Sequence, residues 1–223
     1  MTEALWLSLK LAFSASLVLL VLGTPVAYLL ARKSFRGKAA LETLLLLPLT
    51  LPPTVLGYYL LVLLAPEGPI ARWLGLEWAF RFEGMLLGSV IYSLPFVLTT
   101  YREAFRSLDA DLLQTARTLG ASRLRAWREV GLPLVWPGLA AGTVLAFAHT
   151  LGEFGVVLMI GGNIPGETRV ASIYVYDLVQ ALDFAEAGRV SLVLLALSFA
   201  LIYATRLLEA RWRSRTPSSA PPA

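Results

Sequence analysis

Residues 114–133 read QTARTLGASRLRAWREVGLP. This stretch is polar and carries four arginines, yet it lies between two long apolar segments at about 84–101 and 134–160. A folded basic insert between apolar segments belongs to a membrane protein that presents the insert to a partner in the aqueous phase. Composition agrees. The 223-residue chain is 57% hydrophobic and only 15% charged, where a soluble domain carries about a quarter charged residues. The mean hydropathy is +0.68. Cysteine is absent and histidine occurs once, which excludes disulfides and thiolate or His-rich metal sites.

Apolar runs of the roughly 20 residues that cross a bilayer as helix recur along the chain. Five spans are expected, at about 4–31, 40–65, 84–101, 134–160 and 190–208. The fold class is therefore all-α and polytopic, with one membrane domain over 1–212 and a disordered cytoplasmic tail over 213–223. The first run is too long for a cleavable signal peptide and ends in the basic cluster Arg32, Lys33, Arg36, Lys38, so it reads as a retained span. Lys10 sits near its other end, where it can snorkel to the headgroups. Pro48, Pro52 and Pro53 should kink or break the second span. The segment 170–188 contains Asp177, Gln180, Asp183 and Glu186 and reads as an external or half-inserted amphipathic helix, since a carboxylate at the bilayer centre costs roughly 2.5–3.5 kcal/mol.

Lysine and arginine set the orientation. Four fall after span 1, six between spans 3 and 4, and four from the end of span 5 onward (Arg206, Arg211, Arg213, Arg215), out of 19 in all. The positive-inside rule then puts the N-terminus outside and the 107–133 insert and the C-terminus in the cytoplasm.

Within the insert, Asp109 is placed to cap a helix over 110–119 that gathers Leu112, Leu113, Ala116 and Leu119 on one face. Gly120 is placed to end it in a left-handed turn. Ser122 is placed to cap a second short helix with Leu124, Trp127 and Val130 on one side, and Pro133 to start the next span. The same letters have a helix-turn-helix look. Both fragments are too short and too tethered to read DNA, so no nucleic-acid partner is expected.

The spacing of the insert resembles the EAA loop of importer-type ABC-transporter permeases. That pattern is Glu-Ala-Ala, three residues, Gly, nine residues, Ile, one residue, Leu-Pro. Here it reads Gln114-Thr115-Ala116, three residues, Gly120-Ala121, then Val130, Gly131 and Leu132-Pro133. Gln114 and Thr115 replace the family's Glu and first Ala. The resemblance implies that Gln114, Thr115, Ala116, Gly120, Ala121, Val130, Leu132 and Pro133 form a coupling element that docks on a separate ATPase. No G-x-x-x-x-G-K-[ST] loop occurs, and Gly37-Lys38 is the nearest approach. ATP and magnesium are therefore expected on the partner, with no catalytic residue, cofactor or metal site on this chain.

Residues 23–38 (GTPVAYLLARKSFRGK) and 151–169 (LGEFGVVLMIGGNIPGETR) resemble the molybdate branch of oxyanion ABC importer permeases. Sulfate and tungstate permeases share the GEFG-like part, and they remain the alternative cargoes. What the resemblance implies is a bacterial inner-membrane permease that forms a homodimer, grips two ATP-binding-cassette subunits and receives molybdate from an extracytoplasmic binding protein.

Residue chemistry alone does not name the anion. No lysine or arginine lies in mid-span. Candidates for the translocation path are Thr50, Pro52, Pro53 and Thr54 in span 2, with His149 and Glu153 four residues apart in span 4. Glu153 reads either as an acceptor of backbone or hydroxyl hydrogen bonds that holds the Gly152–Gly155 kink or as a gating group; His149 reads as a satisfied helix-contact histidine. Asn163, Pro165, Glu167 and Arg169 are candidates for docking the binding protein, within outer segments of mixed charge at 66–83 and 161–189. A secondary carrier is the competing class, but it needs a coupling-ion site, and Glu153 alone is thin support for one.

Overall fold

The structure, a computed structural model, describes residues 1–213, with the backbone alone over 208–213. The described residues contain helices and connecting turns and no strand. In chain order the helices are α1 (Thr2–Arg32), α2 (Lys38–Leu46), α3 (Pro53–Leu64), α4 (Pro69–Leu74), α5 (Phe82–Arg106), α6 (Ala110–Thr118), α7 (Arg123–Ala126), α8 (Leu132–Leu151), α9 (Gly155–Gly161), α10 (Ala171–Gln180) and α11 (Phe184–Arg213). Five stretches are long and apolar enough to cross a membrane: Thr2–Arg32, Pro53–Leu74, Phe82–Arg106, Arg123–Leu151 and Phe184–Leu207. The tail expected over 213–223 lies, apart from Arg213, outside the described residues.

The central packing unit is α1, α5 and α8. Their interface buries Leu19, Ala27, Val97, Tyr101, Phe105 and Leu139. Small residues bring the helices together. A Cβ on Gly142 would meet the Tyr101 ring at 2.7 Å, and one on Gly138 would meet Ala104 Cβ at 2.4 Å. Glycines four apart on α8 thus form the flat strip that close helix approach in lipid requires.

Several boundaries depart from the expected ones for identifiable reasons. The span expected at 40–65 is in two pieces. α2 passes into a 3-10 turn at Leu47–Leu49, and Pro52, extended at ψ 134°, precedes Pro53 at the first position of α3. Neither proline can donate to a continuing helix. The span expected at 134–160 is likewise broken, with α8 ending at Leu151 and α9 starting at Gly155. α9 wedges between α3 and α5. A Cβ on Gly57 would meet Met159 Cβ at 2.7 Å, and one on Gly88 would meet Ile160 at 2.5 Å.

Segment 170–188 is not a sixth span. The ten residues of α10 reach about 15 Å, half the hydrocarbon thickness. The chain then reverses through Leu182 at φ +59° into α11, which begins six residues earlier than the expected span.

Candidate functional site

The insert between α5 and α8 is built by its caps. Asp109 Oδ1 accepts the Asp111 N–H at 2.9 Å and starts α6. At the other end the Ala121 N–H donates to the Ala116 carbonyl and the Gly120 N–H to the Arg117 carbonyl, both at 3.0 Å. Gly120 sits at φ +96°. This is the paired-bond C-terminal motif in which one residue must take a left-handed conformation. Ser122 Oγ then accepts the Arg125 N–H at 3.2 Å and starts α7.

The second short helix is not separate, as the sequence suggested. α7 runs through a π-type turn at Trp127–Gly131, where the Leu132 N–H reaches the Trp127 carbonyl, directly into α8. Pro133 explains the wide turn. Its ring would clash with the carbonyl four residues back, and the looser turn relieves that clash. The insert is thus one free helix, a glycine turn and the end of a long helix.

Exposure separates two faces. Leu112, Leu119 and Leu124 are 47%, 83% and 66% exposed, an apolar surface with no partner among the described residues. Leu113, expected beside Leu112, instead turns inward and is half-buried near Gly131. Leu124 does not share the Trp127 side. Ala126 is buried there, and Trp127 stands edge-on to Tyr28 and stacked on Phe105. Gln114 and Thr115 are exposed, as are Leu132 and Pro133, while Ala116, Ala121 and Val130 are half-buried. Arg32 donates to the Leu108 carbonyl, which ties the insert to the end of α1.

A second site lies where the two broken spans meet. A Cβ on Gly155 would stand 2.7 Å from Pro53 Cβ and 3.5 Å from the Thr54 nitrogen. The structure therefore brings Pro53 and Thr54 beside the segment that carries Glu153. Pro52 is exposed at the start of α3. Thr50 stays apart, exposed, with its hydroxyl donating to the Leu47 carbonyl.

Glu153 is only 5% exposed, and neither carboxylate oxygen has a hydrogen-bond partner. The expected acceptor role is therefore not observed for its side chain. The Ser89 hydroxyl faces it without hydrogen-bond geometry. Its backbone is engaged instead: the Glu153 N–H donates to the Thr150 carbonyl at 3.2 Å, and the Ser172 hydroxyl donates to the Glu153 carbonyl. His149 matches its expectation. Its Nδ1 is 2.9 Å from Ser93 Oγ, and its ring packs against Tyr92 and Phe96. Ser93 also contacts Thr150 Oγ1 at 3.0 Å. Ser89, Ser93 and Thr150 went unnoticed in the sequence. The signal was there in Ser89 and Ser93, four apart on one face of a span.

The loop after α9 is rigidly built. Asn163, left-handed at φ +62°, donates to both Asp177 oxygens at 2.9 and 3.1 Å. Arg169 Nε donates to Asn163 Oδ1 at 2.7 Å and pairs with Asp177 at 3.3 Å. Buried Thr168 donates to the Gly161 carbonyl. Asn163 and Arg169 thus clamp the loop to α10, while Pro165 and Glu167 form its exposed tip.

Comparison with known proteins agrees with this architecture. Residues 23–214 match the family model described as binding-protein-dependent transport system inner membrane component. The molybdenum transport system permease protein ModB of Azotobacter vinelandii is 44% identical over 205 residues, covering 90% of this chain and 91% of that protein. The sulfate transport system permease protein CysT of Salmonella typhimurium is 34% identical, covering 93% of this chain and 76% of that one. The inward-facing structure of the MetNI methionine ABC transporter superposes with a TM-score of 0.72 at 18% identity, covering 97% of this chain and 96% of the matched one. That likeness extends to the fold. The chain belongs to the family of binding-protein-dependent transport-system inner membrane components.

Proposed function

We propose that this chain is the membrane-spanning permease of an ATP-driven importer and that its cargo is molybdate. The observation that carries the importer reading is the insert over 107–133. A capped helix and a glycine turn hold Leu112, Leu119 and Leu124 outward between two crossing helices, where an apolar surface needs a partner. The cargo rests on relatives. The protein named for molybdenum is 44% identical, against 34% for the one named for sulfate.

In this reading two copies enclose a path, and two ATPase subunits grip their inserts from the cytoplasm. The N-terminus lies outside. An external binding protein delivers the anion at the face that carries Pro165 and Glu167. ATP binding draws the inserts together and opens the path outward; hydrolysis resets it. The chain itself supplies no catalytic group or cofactor, and ATP and magnesium act on the partner. Basic residues gather at the two ends of the spans rather than along their middles. A path without a tight cationic site releases its anion, and selectivity then falls to the binding protein.

The test is uptake of labelled molybdate by the reconstituted permease, ATPase and binding protein. Uptake should require ATP and be competed by tungstate more strongly than by sulfate. Equal competition by sulfate transfers the cargo to the sulfate branch. Uptake by the purified chain without ATPase or ATP makes it a secondary carrier.

A further inference from the structure

A cavity of about 460 Å³ opens where the insert meets the first helix. Its inner end is Thr24 and Pro25 of α1, and its wall is the aromatic trio Tyr28, Phe105 and Trp127. Arg117 and Arg123, both exposed, also line it. Three other arginines at this end are matched, Arg102 with Glu42, Arg106 with Glu103 and Arg125 with Glu129, while Arg36 and Arg128 lie outside the cavity lining. Arg117 and Arg123 have no ion pair among the described residues. Two unmatched guanidiniums over an apolar, aromatic floor suit an anion attached to an apolar body.

The surface above the cavity extends that match. Leu17, Val21 and Tyr28 are 50%, 61% and 37% exposed, and with exposed Pro25 they follow one line along α1 into the cavity. From Leu17 to Tyr28 this line runs about 16 Å, close to the roughly 15 Å of one leaflet's hydrocarbon. A free oxyanion would use the arginines and leave the line bare. A phospholipid uses both. Lys33 and Arg36, just beyond α1, add the basic field that enriches anionic lipid at such a surface. Arg117 lies about 140° around α6 from Leu112, turned away from that exposed leucine.

We propose that this cavity binds one anionic phospholipid of the cytoplasmic leaflet. Its phosphate sits on Arg117 and Arg123, and one acyl chain lies along Tyr28, Pro25, Val21 and Leu17. The leaflet follows from the orientation proposed above; the site itself depends on neither that orientation nor the cargo.

The test is native mass spectrometry of the detergent-purified permease–ATPase complex titrated with phosphatidylglycerol. Wild type should retain one phosphatidylglycerol per permease copy and no phosphatidylcholine. The double variant R117Q/R123Q should lose at least tenfold in apparent affinity, while R128Q, outside the cavity, should match wild type. The same spectrum counts the ATPase subunits. If the double variant sheds them, R123Q alone carries the test and should lose at least threefold. Unchanged retention in these variants overturns the proposal. So does displacement of the lipid by millimolar inorganic phosphate or molybdate, which would make the cavity a free-anion site. An efficient V21C disulfide between two permease copies would assign the line to a subunit contact and overturn it as well.

Discussion

Gly120 permits a prediction with a worked magnitude. A side chain there meets open space, since nothing lies within 4 Å of an added Cβ. Bulk within the chain is therefore not the constraint; the backbone at φ +96° is. An L-residue held in a left-handed conformation costs about 1–2 kcal/mol. That cost matters because α6 is weakly held. It has nine residues, none of them fully buried, and helices this short are marginal without tertiary support. With little surplus stability, about 1–2 kcal/mol shifts the occupancy of the docking geometry by roughly 5- to 30-fold. Asparagine tolerates the conformation better than alanine, and a β-branched residue tolerates it least. Molybdate uptake per reconstituted complex should therefore fall in the order Gly120, Gly120→Asn, Gly120→Ala, Gly120→Val, with ATPase co-purification falling in parallel. Normal insertion of each variant into the membrane separates docking from biogenesis. If Gly120→Val transports like wild type while only Gly120→Trp fails, the position matters through bulk against the ATPase, and the backbone argument is wrong.

The remaining expectations concern the membrane portion and its orientation. Glu153→Gln removes a buried charge that has no donor, whose burial costs several kcal/mol when ionised; the complex should melt no lower than wild type while uptake falls at least tenfold, and unaltered uptake would leave Glu153 a packing group. Gly142→Ala forces a methyl against the Tyr101 ring, 2.7 Å away, and should destabilise the α5–α8 contact by about 1–3 kcal/mol, read as a lowered melting temperature of the complex. Because the chain has no cysteine, single cysteines report topology cleanly: Glu167→Cys should react with an impermeant maleimide from outside and Arg36→Cys only after permeabilisation, and the reverse pattern would invert the proposed orientation.

Much of this was legible because it is written in local chemistry. The caps at Asp109 and Ser122 and the left-handed turn at Gly120 depend on residues within four positions of each other, and they fell where the sequence placed them. The number of crossing segments follows from apolar length in the same local way. What escaped was long-range. Nothing near Gly155 in the chain announces Pro53, roughly a hundred residues earlier, yet the two pack together. Leu112 and Leu113 are neighbours of equal hydrophobicity, and only the tertiary position of Gly131 and Trp127 decides which turns inward. Asp177 reads as a liability in an apolar segment until Asn163 and Arg169 are seen to close on it. The unpartnered Glu153 is the opposite case. Sequence reasoning supplied it with hydrogen bonds because buried polar groups normally have them, and the exception marks the place where the two broken spans meet.

That exception has a mechanical setting. From the Ser122 cap to Leu151 the chain runs as one helical piece through α7, the π-type turn and α8, 29 residues that reach about 43 Å. One end carries exposed Leu124 of the insert. The other stops at the Gly152–Phe154 break, with Glu153 buried beside it. Close packing through Gly138 and Gly142 confines this helix to sliding or pivoting against α5, because neither glycine leaves room for compression. At the break the backbone leaves helical geometry, and α9 is held separately by α3 and α5. Strain concentrates where regular hydrogen bonding is already interrupted, so the Pro53–Gly155 contact is the part of the fold best placed to open when the insert moves. Polar groups gather there, Glu153 with Ser89, and Ser93 with His149 and Thr150 one turn away. Burying a carboxylate with no hydrogen-bond partner costs several kcal/mol when it is ionised, so the closed arrangement disfavours the charged form of Glu153.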